Sequence, residues 1–160
     1  MEGEVADTQL GGHLPDEVRS ATEHHTAVVV GGGQSGLATA YYLRRYEVDF
    51  LILDNQEEPG GAWLHAWPSL TLFSAAAFSN LPGWPMPQYP GYPPASHVID
   101  YLEHYERRYD LPARRPVHVR SVSHDGGMFF LDSTVGQFTA AHVVAVTGTW
   151  SAPFVPHYPG

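Results

Sequence analysis

The sequence contains no cysteine and no lysine. Without cysteine there can be no disulfide framework, zinc–thiolate site, iron–sulfur cluster or CxxC redox pair, so any redox chemistry must come from a bound cofactor. Bases are scarce: eight, all arginine, stand against seventeen acids for a formal net charge of -9. That balance repels a phosphate backbone and excludes a broad nucleic-acid surface. No apolar run approaches the ~20 residues that a bilayer-spanning helix needs. Residues 1–25 also lack the basic and apolar regions of a signal peptide. The expectation is a cytoplasmic chain with no membrane or nucleic-acid partner, its oligomeric state open. Charged residues make up only 16% of the chain and hydrophobic ones 43%, a composition that excludes a wholly disordered chain and a coiled coil. At 160 residues one domain can bury about 70% of its unfolded surface without a staple.

Met1 to His25 carries six acids and one arginine with no periodicity, and is read as an acidic, disordered leader. From Thr26 the character changes. Ala27-Val28-Val29-Val30 is a β-branched run ending in glycines, the pattern of a strand buried on both faces. Gln34 to Tyr46 spaces Leu37, Ala40, Tyr41 and Leu43 as a helix does, with Arg44 and Arg45 at the negative end of its dipole. Val48 to Leu53 is a second buried strand, completing a βαβ unit. The proline-rich stretch Pro82 to Pro94 can be neither helix nor central strand; its aromatic residues suit packing against the domain's own surface or against a missing domain, and its P-x-x-P spacings leave docking to an SH3-type groove as the alternative. Ser96 is expected to cap a helix that aligns Val98, Leu102, Tyr105 and Tyr109 and pairs Glu103 with Arg107. Val117–Ser123, Met128–Asp132 and Val135–Thr139 read as an antiparallel meander, and His142–Val146 as a further apolar strand.

Gly31-Gly32-Gly33-Gln34-Ser35-Gly36 fits G-x-G-x-x-G, and it follows a strand and opens a helix, the context the motif requires. Gly31 permits the tight turn, Gly33 lets the backbone approach a pyrophosphate, and Gly36 lets helix and strand pack closely. The helix N-terminus adds free N–H groups and partial positive charge. Asp54 ends the second strand about where an acid accepts hydrogen bonds from a ribose, and its charge disfavours a 2'-phosphate. The βαβ unit does not choose among dinucleotides. Pro59-Gly60-Gly61-Ala62-Trp63 follows, where paired glycines allow close backbone approach and the indole offers a planar face to a ring system. Read by itself, this segment serves equally as a turn with a core tryptophan. The ten histidines contain no H-x-x-x-H pair, so no metal site is expected.

The succession G-G-G-Q-S-G, L-I-L-D, P-G-G-A-W and V-V-A-V-T-G-T-W-S-A-P-F-V-P-H-Y-P-G resembles the FAD-binding beginning of class B flavin monooxygenases, the flavin-containing and Baeyer–Villiger enzymes. S-L-T-L-F-S, L-P-G-W-P-M-P and V-I-D-Y-L-E-H-Y-E-R-R-Y are most similar to the flavoprotein monooxygenases of arsenic-resistance operons. The resemblance implies a Rossmann-like α/β FAD-binding domain over residues 26–160, a parallel sheet with helices plus an antiparallel meander. It implies Gly31, Gly33, Gln34, Ser35 and Gly36 at the FAD pyrophosphate and Asp54 at the adenosine ribose. Gly61 and Trp63 fall on the flavin side, Val119 at the adenine, and Thr147 and Gly148 in the turn closing over the cofactor. In that family NADPH reduces FAD, and the reduced flavin activates oxygen for transfer to a small-molecule substrate.

Two departures stand out. Many flavin-containing monooxygenases carry an asparagine near the flavin where this chain has Phe73. The chain also has one glycine-rich turn, whereas the family continues into a second one for NADPH, so a fragment or truncated form without its NADPH domain is expected. No catalytic residue is assigned. The functional expectation is an FAD-dependent, NAD(P)H-using monooxygenase to which this chain supplies the FAD-binding portion. An inactive nucleotide-binding module serving as an assembly partner is the alternative, and an NAD-dependent dehydrogenase is a third reading that leaves G-G-A-W and T-G-T-W without a role.

Overall fold

The computed structural model describes residues 22–151 and 153–159. Four strands, β1 (Glu23–Val30), β2 (Phe50–Leu53), β3 (Ala113–Arg114) and β6 (Gly136–Ala145), run parallel. Strands β4 (Val119–Asp125) and β5 (Met128–Ser133) extend them as an antiparallel hairpin, and the six-stranded order is β3-β2-β1-β6-β5-β4. Helices α1 (Gln34–Arg45) and α2 (Ala95–Arg108) complete the Rossmann-like domain that the motifs led us to expect.

Alternation along the buried strands sorts the core into two clusters. Ala27, Val29, Phe50 and Ile52 face one side, where they meet Leu37 and Ala40 of α1 and Val98, Leu102 and Tyr105 of α2. Val28, Leu51 and Leu53 face the other, with Val117, Leu131 and Phe138. Successive side chains of a strand point to opposite faces, so a sheet covered on both sides needs unbroken apolar runs of this kind.

The proline-rich segment packs on this domain. The buried hydroxyl of Tyr101 accepts from the Leu81 N–H at 2.8 Å and donates to the Trp84 carbonyl at 2.7 Å, and Tyr105 donates to the Pro82 carbonyl at 2.6 Å. Asn80 closes the loop, its Oδ1 accepting from the Met86 N–H at 2.8 Å. Prolines remove donors from a segment that therefore needs tethers from elsewhere, and the tyrosines of α2 supply them. Burial pushes the Tyr101 and Tyr105 phenols above their ordinary range.

Three expectations need correction. The strand begins at Glu23, not after His25: Glu23, His24 and His25 pair with Phe138, Thr139 and Ala140 of β6. Polar side chains sustain that extension. His25 lies between Glu23 (2.9 Å) and Asp49 (3.1 Å), and His24 Nδ1 bonds Thr139 Oγ1 at 3.1 Å. The rest of the expected leader, residues 1–21, lies outside the described residues. Second, Val135–Thr139 and His142–Val146 are not separate strands. The single strand β6 pairs antiparallel with β5 along its first half and parallel with β1 from Phe138 to Ala145, because the small Ala140 and Ala141 interrupt the apolar run without interrupting the ladder. Third, Ser96 does not cap α2. The helix starts at Ala95, two residues earlier than a Ser96 cap would give, behind Pro94 and with no side-chain cap, although Glu103 and Arg107 pair at 3.5 Å as anticipated.

The edge cluster carries a pH signature. Hydrogen bonds from Arg114 and then His25 hold the Glu23 carboxyl below its ordinary value, and the Thr26 N–H followed by His25 lowers that of Asp49. Carboxyls depressed in the folded state stabilise it above their unfolded values, here 4.5 and 3.8, and this contribution disappears as pH falls through the folded values. Both groups are substantially solvated, so Glu23→Gln is expected to cost less than about 1 kcal/mol at pH 7. Thermal melts should show the gap between wild type and variant closing below about pH 4; a gap that persists there would assign the cost to packing instead.

Candidate functional site

The carboxyl ends of β1, β2 and β6 open into one cleft of about 290 Å³. In open α/β sheets this is where ligands bind, at the point where successive connections diverge. Here the chain leaves β1 towards β2 on one side, while β6 packs on the other.

The floor is the glycine turn. The Gly31 N–H donates to the Leu53 carbonyl at 2.8 Å, the Val146 N–H to the Val30 carbonyl at 2.9 Å, and α1 begins with Leu37 N–H returning to the Gly33 carbonyl at 3.0 Å. Gly31, at φ 114°, lies against the Val146 backbone, where a side chain has no room. Gly36 has its absent Cβ directed at the Gly31 carbonyl and lies beneath the turn rather than in the cleft wall. It sets the helix–strand distance, while Gly31, Gly33, Gln34 and Ser35 form the surface. No acid occupies the first turn of α1 and no side chain caps it, a helix start of the kind that suits an anion.

The other motifs converge on this floor. Gly60 and Gly61 adopt φ values of 135° and 55°, turning the chain into a 3-10 segment, Gly61–His65, that places half-buried Trp63 at the cleft. Gly61 sits back to back with Gly33: a Cβ on Gly61 would fall 2.7 Å from the Gly33 Cα. Val119 at the start of β4 and exposed Thr147 and Gly148 after β6 complete the rim. Ten of the eleven residues singled out from the sequence therefore line one cleft, Gly36 being the exception.

Asp54 also lines it, yet only 3% of its surface is exposed. Its backbone is clamped between Arg114 and Val117, its N–H donating at 3.1 Å and its carbonyl accepting at 2.7 Å. Its Oδ2 accepts from Arg115 Nε at 2.7 Å, and the two terminal nitrogens of Arg115 donate to the two oxygens of Glu106, each at 2.7 Å. Burial opposes the charge on Arg115, but the Glu106 and Asp54 carboxylates outweigh it and raise its pKa. Gly32 lies on top of this pair: a Cβ there would strike Asp54 Oδ2 and come within 2.6 Å of an Arg115 nitrogen.

Sequence reasoning missed Gly32, Arg115 and Glu106. Glu106 carries a weak signal, lying one turn beyond buried Leu102 on α2. Arg115 carries little, because nothing in R-R-P tells which arginine turns inward. Trp150 was also missed: it stacks on His65, centroids 5.3 Å and planes 9° apart, at the cleft mouth. Phe73, by contrast, is 91% exposed and outside the cleft wall.

Comparison with known proteins agrees with this architecture. The sequence pattern of the pyridine nucleotide-disulphide oxidoreductase family matches residues 28–160. An oxidoreductase of Geobacillus kaustophilus (strain HTA426) described as CzcO-like is 33% identical over 82% of this chain and 38% of its own length. The indole-3-pyruvate monooxygenase YUCCA6 of Arabidopsis thaliana is 33% identical over 100% of this chain and 40% of its own. Among solved structures, a flavin-containing monooxygenase from Stenotrophomonas maltophilia superimposes with a TM-score of 0.82 and 47% identity, over 87% of this chain and 43% of that one. The chain thus spans about two fifths of the relatives it matches. It belongs to the pyridine nucleotide-disulphide oxidoreductase family, with the Rossmann-like fold of the FAD-binding domain of flavin monooxygenases.

Proposed function

We propose that this chain is the FAD-binding portion of a flavin-dependent monooxygenase that draws electrons from NAD(P)H. One observation carries the reading: the backbones of Gly33 and Gly61 touch, which joins the glycine turn to P-G-G-A-W in one continuous floor. A simple dehydrogenase site has no use for that second segment.

The residues suit the cofactor. Gly33 leaves open the space that a Cβ would fill, and the uncapped α1 N-terminus suits a pyrophosphate. Gly31, Gln34 and Ser35 would hold the phosphates, Asp54 the adenosine ribose and Val119 the adenine. Gly61, Trp63, Thr147 and Gly148 would border the flavin. Bound FAD supplies the electron transfer and oxygen activation, while the protein orients it and keeps water from the reacting end. Trp63 and Trp150, which line the cleft, would serve the second task. The similarity to flavin monooxygenases supports this reading.

Purified protein reconstituted with FAD should show bound-flavin absorbance and quenched fluorescence, with FAD binding in preference to NAD. Preferential NAD binding would overturn the assignment.

A further inference from the structure

Asp54, Arg115 and Glu106 form a nearly buried ion triad. Its three side chains are 4%, 9% and 14% exposed and come from three places: the end of β2, the turn between β3 and β4, and α2. Each of the three Arg115 nitrogens donates to a carboxylate. The guanidinium is thus engaged by the protein's own acids and does not await a ligand phosphate. Its fork fixes both partners in plane as a lysine could not.

The two oxygens of Asp54 then differ. Oδ2 is taken by Arg115 and covered by Gly32, whereas Oδ1 accepts no hydrogen bond from any described residue. No fully buried side-chain oxygen among the described residues lacks a partner, so Oδ1 must keep some open surface, and Asp54 faces the cleft. We propose that Arg115, braced by Glu106, is a positioning residue that locks the Asp54 carboxylate with one oxygen turned into the cleft to accept a hydrogen bond from the adenosine ribose of the dinucleotide. This rests on the FAD reading and adds a specificity device to it: the acid recognises the sugar only while its rotamer is held from behind.

The test compares two probes, FAD and FAD carrying 2'-deoxyadenosine, titrated by flavin fluorescence quenching into wild type, Arg115→Lys, Glu106→Gln and Asp54→Asn. A hydrogen bond to a carboxylate predicts that wild type prefers FAD by about ten-fold or more. Arg115→Lys keeps the charge but loses the fork, and should bring the ratio of the two affinities close to that of Asp54→Asn. Glu106→Gln, which never touches Asp54, should lower the ratio too, and serves if the lysine variant folds poorly. A merely structural arginine would weaken both probes equally and leave the ratio intact, and that result overturns the proposal. Wild type that binds FAD without preferring it also overturns it. Wild type that binds neither probe instead refutes the dinucleotide site beneath it.

Discussion

Gly36→Ala is expected to destabilise the fold severely, while Gly33→Ala, three residues earlier in the same turn, leaves the fold intact and abolishes tight FAD binding. The missing Cβ of Gly36 points at the Gly31 carbonyl oxygen, with Val146 Cγ2 behind it at 3.6 Å. Neither backbone can retreat. Gly31 is tied to β2 through Leu53, and α1 is anchored by Leu37 on Gly33. Overpacking of this kind costs about 3 kcal/mol, which lowers Tm by roughly 6–12 °C in a domain of this size. Gly33 differs in every respect. Its φ of −79° suits any residue, and an added Cβ meets only the Gly61 Cα, at 3.7 Å. Alanine there restricts the unfolded chain and should hold or slightly raise Tm. Its methyl group occupies the space assigned to the pyrophosphate, so FAD affinity should fall at least about ten-fold, the effect of roughly one lost charge-assisted contact. Thermal melts and flavin titrations of both variants separate the two roles. A Gly33→Ala protein that binds FAD as wild type does would remove the phosphates from this turn.

That contrast shows what could be read in advance. The βαβ unit was legible because Val28, Val29, Leu51 and Ile52 need a buried strand in any context and the glycines punctuate it. Gly31, Gly33, Gln34, Ser35 and Asp54 were legible because they follow a strand in the order a dinucleotide turn requires, whereas Val119 rested on family resemblance alone. The start of β1 was not, since Glu23-His24-His25 is polar and becomes strand only through partners at Asp49 and Thr139, distant in sequence. The continuity of β6 was hidden for a related reason: the strand pairs with β5 only as far as Ala140 while its ladder with β1 runs on from Phe138 to Ala145, and neither partner is near in sequence along the whole length. Gly32 occupies a variable position of its motif, and its constraint arises from Asp54 and Arg115 below. Burial of a charge is a property of three converging segments, and no one segment announces it.

The largest loss of stability should therefore come from that hidden charge. Arg115→Met removes the one cation facing two nearly buried carboxylates, Asp54 and Glu106. Deleting one partner of a buried ion pair costs about 3–5 kcal/mol, because the charge left behind has neither water nor counter-charge. Denaturant titrations should show this deficit, and a second substitution identifies its cause. Adding Glu106→Leu to Arg115→Met should recover part of the loss, since only Asp54 then remains unpaired, and Asp54 retains an edge on the cleft. A deficit that is unchanged in the double variant would mean that Arg115 stabilises by the packing of its aliphatic stem, and the ion triad would lose its place in both the fold and the site.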